Sequence, residues 1–422
     1  MKVTFYLGDN IGTPVNASSI EFGNPGVGGT QYVMLLVAHF LNQKEEFDVN
    51  ICASRRYDGW GGESLIVKGD ADVVPVCENR HTDILVLKTD SLILRKMIQQ
   101  SNLKVVYWSH NYIYADLCSY IANTPQVKCN VFVSKEQYDR YIDNNIIKKS
   151  TFIYNLYNDS NTKRRQNDSK TICYMGAIVP AKGFRELCRI WKGIKKQVPE
   201  ATLLVLGSGS LYGTQQLGKY NIASDNYERQ FVQFIKDADG EIDPSIKFLG
   251  VVGEEKISYF LNASVGVVNP TAVTETFGMG ILEMASACLP VATIGRRGYL
   301  DTIIHNKTGL LASSLVGIQK NIVRLLSDKE LNNKLGDNAK VFISKFSPTV
   351  IIPKWESLLN DIYNNELNIT ITPPTNNFND EYKWIRYINY YLRFKCHLKI
   401  LPSILDIECF LVKLKNKILD RH

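Results

Sequence analysis

Short apolar runs rich in β-branched residues recur along the chain, each followed by a turn signal and then by a longer stretch with helical periodicity. This alternation is typical of a parallel sheet whose strands are connected by helices. We therefore predict an α/β fold. The predicted strands are residues 3–7, 48–53, 84–87, 105–108, 131–133, 171–175, 202–206, 246–249, 265–268 and 290–294.

One polar segment divides these strands into two groups of five. Residues 158–170 form a stretch of 13 residues without an aliphatic or aromatic side chain, which is typical of a linker between domains. We predict an N-terminal domain at residues 1–160 and a C-terminal domain at residues 168–346. The length of 422 residues also fits two domains.

Composition narrows the class of protein. The chain has 45% hydrophobic and 22% charged residues, which excludes collagen-like and intrinsically disordered proteins. We expect no membrane-spanning helix, no secretory leader and no nucleic-acid-binding module. The nine cysteines are widely spaced without a Cys-x-x-Cys pair, so we expect reduced thiols in a cytosolic protein and no metal site.

The turn signals of the second half all follow predicted strands. Gly176, Gly207 to Gly209, Gly250 and the polar loops 269–275 and 295–298 come directly after successive strands. Because the carboxyl ends of parallel strands form one edge, where ligands bind in doubly wound sheets, these turns predict a ligand site there. Taken singly, each glycine could equally end a strand or cap a helix.

Residues 267–291 are the most informative segment. They read as a strand, a polar loop, a helix that begins close to residues 276–278, and a further strand. A helix start favours an anion such as a diphosphate, and glycines at 278 and 280 let that anion approach. Glu283 lies in an otherwise apolar helix, where an ionised carboxylate needs hydrogen-bond donors such as ribose hydroxyls. Alternatively, Glu275 and Glu283 are solvent-exposed acids.

The two glutamates, separated by seven residues in Glu-Thr-Phe-Gly-Met-Gly-Ile-Leu-Glu, resemble the signature of family 4 glycosyltransferases. Other pieces agree with the resemblance: Tyr174-Met-Gly176, Pro180-Ala-Lys-Gly183, the run from Leu203 to Gly209, Phe248-Leu-Gly250 and Asn306-Lys-Thr-Gly-Leu-Leu311. The resemblance is strong over residues 171–312. It implies the GT-B fold, in which two Rossmann-like doubly wound parallel-sheet domains face each other across a cleft. A helix at residues 347–365 would return to the first domain.

The resemblance also implies roles for the residues of the second domain. Glu283 would hold the ribose of a nucleotide sugar, and Glu275 would contact the donor sugar. Lys182 would neutralise the departing diphosphate. The remaining donor-binding positions are the backbone around Gly209, Thr276, Phe277, Gly278 and Met279.

In the first domain, the resemblance points to a glycine loop and a histidine. Gly28 and Gly29 match the family's first glycine loop, which approaches the donor phosphates and the acceptor. His110, at the end of a predicted strand, matches the histidine that contacts the donor sugar; a lone histidine is otherwise more often structural. The first loop is not a dinucleotide-binding motif, because it lies almost 20 residues after the first strand.

One position departs from the family pattern. The family usually has an arginine immediately after the glycine at position 176, and this chain has Ala177. The leaving diphosphate would therefore lack one cation. We expect either Arg296 or Arg297 to replace it, or a modest rate.

These residues predict a retaining glycosyltransferase that needs no metal and uses a nucleotide-diphosphate sugar as donor. The acceptor would be a glycan, in the family's habit a lipid-linked oligosaccharide of O-antigen, lipopolysaccharide or capsule synthesis. Two alternatives remain: a nucleotide-sugar 2-epimerase of the same fold, and a noncatalytic nucleotide-sugar-binding subunit of a glycan assembly complex. The tripeptides Asp70-Ala-Asp72 and Asp237-Ala-Asp239 are too common to indicate a metal-dependent GT-A enzyme.

The C-terminal residues 375–422 read as a basic, aromatic helical extension. Residues 381–422 contain nine Lys or Arg and four Asp or Glu, or 9 − 4 = +5 of the chain's net +7. Within 383–399, the aromatic residues Trp384, Tyr387, Tyr391 and Phe394 share one helical face, opposite Lys383, Arg386 and Arg393. This pattern fits a helix lying on an anionic membrane, on the cytoplasmic face of the inner membrane. It fits equally an aromatic face packed on the first domain with solvated cations behind it.

Overall fold

The computed structural model describes residues 1–159, 162, 169–209, 216–253, 255–376, 378, 380–398 and 400–419, with side chains up to 417. Most of the polar segment 158–170 therefore lies outside the described residues, as do Lys399, Asp420 and Arg421 of the basic C-terminal region. The chain forms two compact units. The first contains Met1–Asn158 and Phe346–His422, and the second is Asp159–Lys345.

The first unit is built on a seven-stranded sheet that is parallel throughout, in the order β5-β3-β1-β6-β7-β8-β9. Two further short strands, β2 and β4, pair with each other. The strands are β1 (Lys2–Tyr6), β2 (Val15–Asn16), β3 (Asp48–Ala53), β4 (Tyr57–Asp58), β5 (Glu63–Ile66), β6 (Ile84–Leu87), β7 (Lys104–Ser109), β8 (Val127–Phe132) and β9 (Ser150–Phe152).

Helices connect these parallel strands, as parallel pairing requires. They are α1 (Gly29–Asn42), α2 (Asp70–Asn79), α3 (Leu92–Gln100), α4 (Ala115–Asn123) and α5 (Lys135–Arg140). A 3₁₀ turn, Asn145–Lys149, precedes the last strand. Strand β6 is buried at all four positions, and β1 and β7 are buried at every position after the first, which is typical of a sheet covered on both faces.

The second unit repeats the same architecture with six parallel strands in the order β12-β11-β10-β13-β14-β15. Its strands are β10 (Thr171–Met175), β11 (Thr202–Leu206), β12 (Ile246–Gly250), β13 (Val265–Val267), β14 (Val291–Ile294) and β15 (Gly309–Ala312). Its helices are α6 (Phe184–Gln197), α7 (Asp225–Phe231), α8 (Lys256–Asn262), α9 (Met279–Ser286), α10 (Tyr299–Thr302), α11 (Leu315–Ser327) and α12 (Lys329–Phe342).

The structure confirms the α/β fold and all ten predicted strands. Four have the predicted ends, and the largest error is at residues 131–133, where the strand starts four residues earlier, at Val127. The prediction missed β2, β4, β5, β9 and β15. These are two to four residues long, too short for a recognisable apolar run.

After the second unit the chain returns to the first through three helices, α13 (Pro348–Asn364), α14 (Lys383–Tyr390) and α15 (Ile404–Leu419). Helix α13 buries its apolar face, with Trp355 fully enclosed and packed edge-on to Phe5 at 6.5 Å between ring centroids. A π-helical turn, Tyr391–Lys395, extends α14. No helix among the described residues is both long and apolar enough to span a bilayer.

The orientation of α14 contradicts the expectation that its cations are solvated. Lys383, Arg386 and Arg393 are 2%, 0% and 7% exposed, so the basic face points into the first unit and is not solvated. The aromatic side is the more exposed one, with Trp384 at 37% and Tyr391 at 56%. The prediction that the aromatic and basic residues lie on opposite faces of α14 was right, and the prediction that the basic face is solvated was wrong.

The reason lies in α5, which is polar and yet buried. The ammonium of Lys383 lies 2.8 and 3.1 Å from the two carboxylate oxygens of Glu136 on α5. Arg386 pairs with Glu408 of α15 and lies 3.9 Å from the buried carboxylate of Asp143. Since a buried charge needs an opposite charge or hydrogen bonds, these carboxylates draw the cationic face inward.

Candidate active site

Lys182 and Glu275 form an ion pair at the carboxyl edge of the second sheet. Lys182 ends the 3₁₀ turn Pro180–Lys182 that follows β10, and Glu275 lies in the loop that follows β13. Because β10 and β13 are neighbours, their loops meet, and the Lys182 Nζ lies 2.6 Å from Glu275 Oε1. Their side chains are 26% and 16% exposed, so the pair is within reach of a ligand.

Two further residues, which the sequence analysis missed, position this pair. The Asn269 side-chain amide donates to the carbonyl of Ala181 at 2.8 Å and to Glu275 Oε1 at 3.5 Å, so it connects the two loops. The Tyr174 hydroxyl donates to the Lys182 carbonyl at 2.8 Å from inside the core. A buried hydrogen-bonded frame of this kind keeps lysine and glutamate side chains in place before a ligand arrives.

The start of α9 lies directly after Glu275. Gly278 is the N-cap residue with φ of 100°, a conformation that favours glycine, and the helix begins at Met279. Thr276 and Phe277, which precede this start, are buried, at 9% and 2% exposure. Gly298 packs on this segment so closely that an added Cβ would lie 2.4 Å from the Phe277 Cα.

Glu283 is on α9, about one turn from its start, and also has a lysine partner. Its carboxylate lies 2.9 Å from Nζ of Lys256, at the start of α8, with side-chain exposures of 24% and 27%. Glu283 is therefore a partly buried, paired acid and not a solvated one. Lys256 was missed because a lysine after two glutamates reads as an ordinary surface position.

After β11, at the same edge of the sheet, two glycines allow close packing of the backbone. Gly207, with φ of 148°, lies so near the end of β10 that an added Cβ would be 2.0 Å from the Gly176 carbonyl oxygen. At Gly209 an added Cβ would be 2.4 Å from the Ala223 Cα. A side chain at either position would therefore clash with the neighbouring backbone. Residues 210–215, which follow Gly209, lie outside the described residues.

Ala177 is buried, and the two arginines considered as its replacement differ in exposure. Arg296 is exposed. Arg297 has φ of 54°, an uncommon conformation for a non-glycine residue, and its guanidinium donates to the Ala272 carbonyl at 3.3 Å. Ala272 in turn accepts from the Glu275 backbone N–H at 3.1 Å. Arg297 therefore contacts the loop that carries Glu275.

In the first unit, His110 lies at the carboxyl edge of its own sheet, directly after β7. Its ring is 6% exposed and stacks at a tilt on Trp108, with 4.6 Å between centroids. Burial, with a smaller effect from the positive charge of Lys88, lowers the pKa of His110 to about 3. His110 is therefore neutral at physiological pH.

Charged residues that the sequence analysis missed follow the neighbouring strands. The carboxylate of Asp9, after β1, accepts from Arg55 Nε at 3.0 Å and from the Tyr57 hydroxyl at 2.9 Å. Lys88 follows β6, between β1 and β7 in the sheet, and no hydrogen bond or ion pair joins it to any residue that the structure describes. The strand-end argument used for the second half predicts these residues when applied to the first.

Gly28 and Gly29 form the start of α1 and are both exposed, so their backbone is accessible. The preceding loop is closed by Asn24, whose side-chain oxygen accepts from the N–H groups of Gly26 and Val27 at 3.0 and 2.9 Å. The loop thus presents bare backbone at a helix start, as expected for a phosphate- or sugar-binding turn.

No group of three metal-ligating side chains occurs within the described part of the chain. Both acid pairs have local structural roles instead. Asp70 accepts from the Tyr6 hydroxyl at 2.7 Å, and Asp72 accepts from the Lys68 backbone at 3.0 Å. Asp237 accepts from two backbone N–H groups of its own turn.

Two units, each with a helix-connected parallel sheet, define the GT-B class of fold. The structure of HepE of Anabaena in complex with UDP matches with a TM-score of 0.61, covering 86% of this chain and 100% of that chain at 14% identity. A TarM variant from Staphylococcus aureus matches with a TM-score of 0.55, covering 69% and 58% at 16% identity. At these identities the likeness shows the fold alone.

Residues 158–342 match the family described as "Glycosyl transferases group 1", and this match covers the second unit. The capsular polysaccharide biosynthesis glycosyltransferase CapM of Staphylococcus aureus is 27% identical over 46% of this chain and 47% of its own length. The putative glycosyltransferase YtcC of Bacillus subtilis (strain 168) is 29% identical over 41% and 40%. The chain thus spans less than half the length of these relatives.

Proposed function

We propose that this protein is a retaining glycosyltransferase that moves a sugar from a nucleotide-diphosphate sugar to a glycan acceptor. One observation carries the proposal: both glutamates of the family signature are held by lysines around one helix start. Lys182 pairs with Glu275 at 2.6 Å, and Lys256 pairs with Glu283 at 2.9 Å. These are donors and acceptors of the kinds that a nucleotide sugar needs.

Donor binding would proceed as an exchange of partners. The ribose hydroxyls replace Lys256 as hydrogen-bond donors to Glu283, and the sugar hydroxyls donate to Glu275. Lys182, released from Glu275, then pairs with the diphosphate. The diphosphate oxygens also accept hydrogen bonds from the backbone N–H groups at the start of α9. No carboxylate is left without a partner at any stage.

In the transfer step, the bond between the anomeric carbon and the donor phosphate oxygen breaks, and the acceptor hydroxyl oxygen bonds to the same face of that carbon. The departing phosphate takes the hydroxyl proton. Negative charge develops on the diphosphate, so a cation at Lys182 stabilises the transition state more than the ground state. We assign His110 to the sugar as a neutral hydrogen-bonding group.

Arg297 supplies the cation missing at Ala177, in this proposal. Its hydrogen bond to Ala272 and its strained backbone keep it against the loop of Glu275, and it is the less exposed of the two arginines. Backbone strain of order 1–3 kcal/mol at such a position is often retained for function. Arg297 therefore replaces the family arginine, and Arg296 does not.

The acceptor is a growing surface polysaccharide such as capsule or O-antigen, carried on a lipid. Two observations support this. The matched relative CapM acts, by its name, in capsular polysaccharide biosynthesis. The C-terminal segment also exposes apolar side chains, as expected for a protein that works on a lipid-linked substrate.

A nucleotide and nucleotide-sugar thermal-shift screen tests the donor site, with transfer assays on the hits. Glu283→Ala should weaken nucleotide binding about 10- to 100-fold, because it removes a charged hydrogen-bond acceptor worth about 1.5–3 kcal/mol. The matched control is Glu330→Ala, an exposed glutamate on α12. Equal binding by both variants would contradict the assignment.

Separate assays test the stereochemistry of transfer and the two alternative functions, the epimerase and the noncatalytic subunit. An α-linked donor should give an α-linked product by NMR, and activity should survive EDTA. Conversion of the donor without an acceptor would instead indicate the epimerase. Donor binding without turnover on any acceptor would indicate a noncatalytic subunit.

We further propose that the protein contacts an anionic membrane through the exposed side of its C-terminal segment. The exposed apolar residues are Trp384, Ile385, Ile388, Tyr391, Phe410, Leu411, Val412 and Leu414. Exposed lysines accompany them at 395, 413, 415 and 417. Apolar and aromatic side chains flanked by lysines suit the interface of an anionic bilayer.

Truncation at residue 375 is a poor test, because it would leave the buried Glu136 without its lysine. The pair of substitutions Ile388→Ser and Phe410→Ser changes only exposed positions, at 60% and 64%. We expect this variant to lose flotation with phosphatidylglycerol vesicles. The control Val341→Ser, at a 73% exposed position on α12, should float as the wild type does. Unchanged flotation of the double variant would refute the membrane contact.

A further inference from the structure

A cavity of about 520 Å³ opens where the C-terminal segment covers the first unit. Its walls come from the end of α4, from the 3₁₀ turn Asn145–Lys149 and from the π-helical turn Tyr391–Lys395. The lining residues that matter here are Asn123, Asn145, Lys148, Lys149, Arg393 and Phe394. Three of them are cations, and no carboxylate lines the cavity.

Arg393 is the buried member of this group. Its side chain is 93% buried, and one Nη donates to the Asp143 carbonyl. Its Nε has no hydrogen-bond partner among the described residues. A buried guanidinium N–H without an acceptor costs free energy, so the described residues around Arg393 satisfy its guanidinium only in part.

The two lysines set the charge of the cavity. Lys149 donates to the carbonyls of Ile121 and Thr124, at the end of α4, at 3.3 and 2.8 Å. Lys148 is exposed, and its ammonium lies 4.9 Å from the centre of the Phe394 ring. The buried Asp143 is the carboxylate near Arg393, and it is also shared with Arg386 at 3.9 Å. Arg386 is also paired with Glu408, so two carboxylates face the two arginines, and the lysines add further positive charge.

We infer that this cavity binds the phosphate of an anionic phospholipid headgroup. Lysine ammonium and arginine guanidinium groups are the usual partners of phosphate. A lipid is the source because the same short segment that supplies Arg393 and Phe394 exposes apolar side chains on either side, Tyr391 at 56% and Ile400 at 92%. The acyl chains would then lie along the exposed apolar residues while the headgroup occupies the cavity.

The inference rests on the membrane contact proposed above, and a soluble probe separates the two. The probe is dihexanoyl phosphatidylglycerol below its critical micelle concentration, titrated into the full chain by calorimetry or NMR. Lys148→Gln removes an exposed cation, and Asn123→Asp adds a carboxylate at an exposed wall position, so both variants should fold. Each should weaken binding about fivefold, the effect of one charge near a phosphate surface. Lys96→Gln, exposed on α3 and outside the cavity, should bind as the wild type does.

Each outcome decides one point. Absence of binding to the wild type, or binding by Lys148→Gln and Asn123→Asp that is as tight as that of the wild type, overturns the headgroup site. Equal affinity for inorganic phosphate overturns the lipid assignment in favour of a free anion. If the soluble lipid binds as expected but vesicles do not, the headgroup site stands and the membrane contact fails.

Discussion

Replacement of Lys383 by methionine tests the inward orientation of the C-terminal cations. The ammonium lies 2.8 and 3.1 Å from the Glu136 carboxylate and 2.7 Å from the Asn376 side-chain oxygen, and the two charged side chains are 2% and 4% exposed. Methionine fills a similar volume but leaves Glu136 buried without a cation. Removing one partner of such a pair costs about 3–5 kcal/mol, whereas an exposed pair contributes at most about 1 kcal/mol.

The loss should appear first as undocking of the C-terminal segment. We expect hydrogen–deuterium exchange in peptides covering residues 383–395 to accelerate by at least 100-fold, since about 3 kcal/mol corresponds to that factor. The double variant Glu136→Gln with Lys383→Met should recover most of the protection, because a neutral pair needs no compensation. Lys395→Met, at an exposed position two residues after Arg393, is the control. Similar exchange in Lys383→Met and Lys395→Met would refute the buried pair.

The remaining predictions concern the two sheet edges. The pKa of His110 is lowered from about 6.5 to about 3 in the folded protein. Between these pH values the unfolded chain binds a proton at this histidine and the folded protein does not. The free energy of unfolding therefore falls as the pH is lowered from 6.5 towards 3, by about 2 kcal/mol at pH 5. Urea unfolding of His110→Gln should lack this part of the pH dependence, and an unchanged dependence would contradict it. Arg297→Ala should slow transfer about 10-fold or more with little change in nucleotide affinity, and Arg296→Ala should slow it less than 2-fold; equal rates would remove Arg297 from the mechanism. Lys256→Met removes the group that competes with ribose for Glu283, so nucleotide binding by calorimetry should tighten up to about fivefold; a large loss of affinity would show that Lys256 itself holds the donor.

The strands and the glycine turns could be predicted because their signals are local. An apolar run such as β11 followed by Gly207 carries its structure within a few neighbouring residues. The positions of Glu275 and Glu283 came from a short motif around one helix start. Each of these features depends on residues close to it in sequence.

The partners of those glutamates could not be predicted in the same way. Lys182 lies 93 residues before Glu275, and Asn269 reaches an Ala181 carbonyl 88 residues away. A single sequence gives no signal for which distant residues meet. Only the order of strands in the sheet, with β10 beside β13, places these loops together.

In the C-terminal segment, helical periodicity predicts which residues share a face of α14 but not which face is buried. The period of α14 separates an aromatic face from a basic face, and average preferences put the basic face in solvent. The outcome was decided by α5, a polar helix with the sequence Lys-Glu-Gln-Tyr-Asp-Arg that itself looks exposed. The basic face of α14 and the polar helix α5 pack against each other because their charges are of opposite sign. The sequence of either helix taken alone does not indicate this packing.

The pairing of Glu136 with Lys383 has a consequence for synthesis of the chain. The two residues are 247 positions apart, so at 5–20 residues per second the lysine leaves the ribosome roughly 10–50 s after the glutamate. During that interval the first unit has a complete sheet but lacks the cation for a carboxylate in its interior. We expect the first unit to acquire its final protease resistance only when the whole chain has been released, although most of its residues are made first.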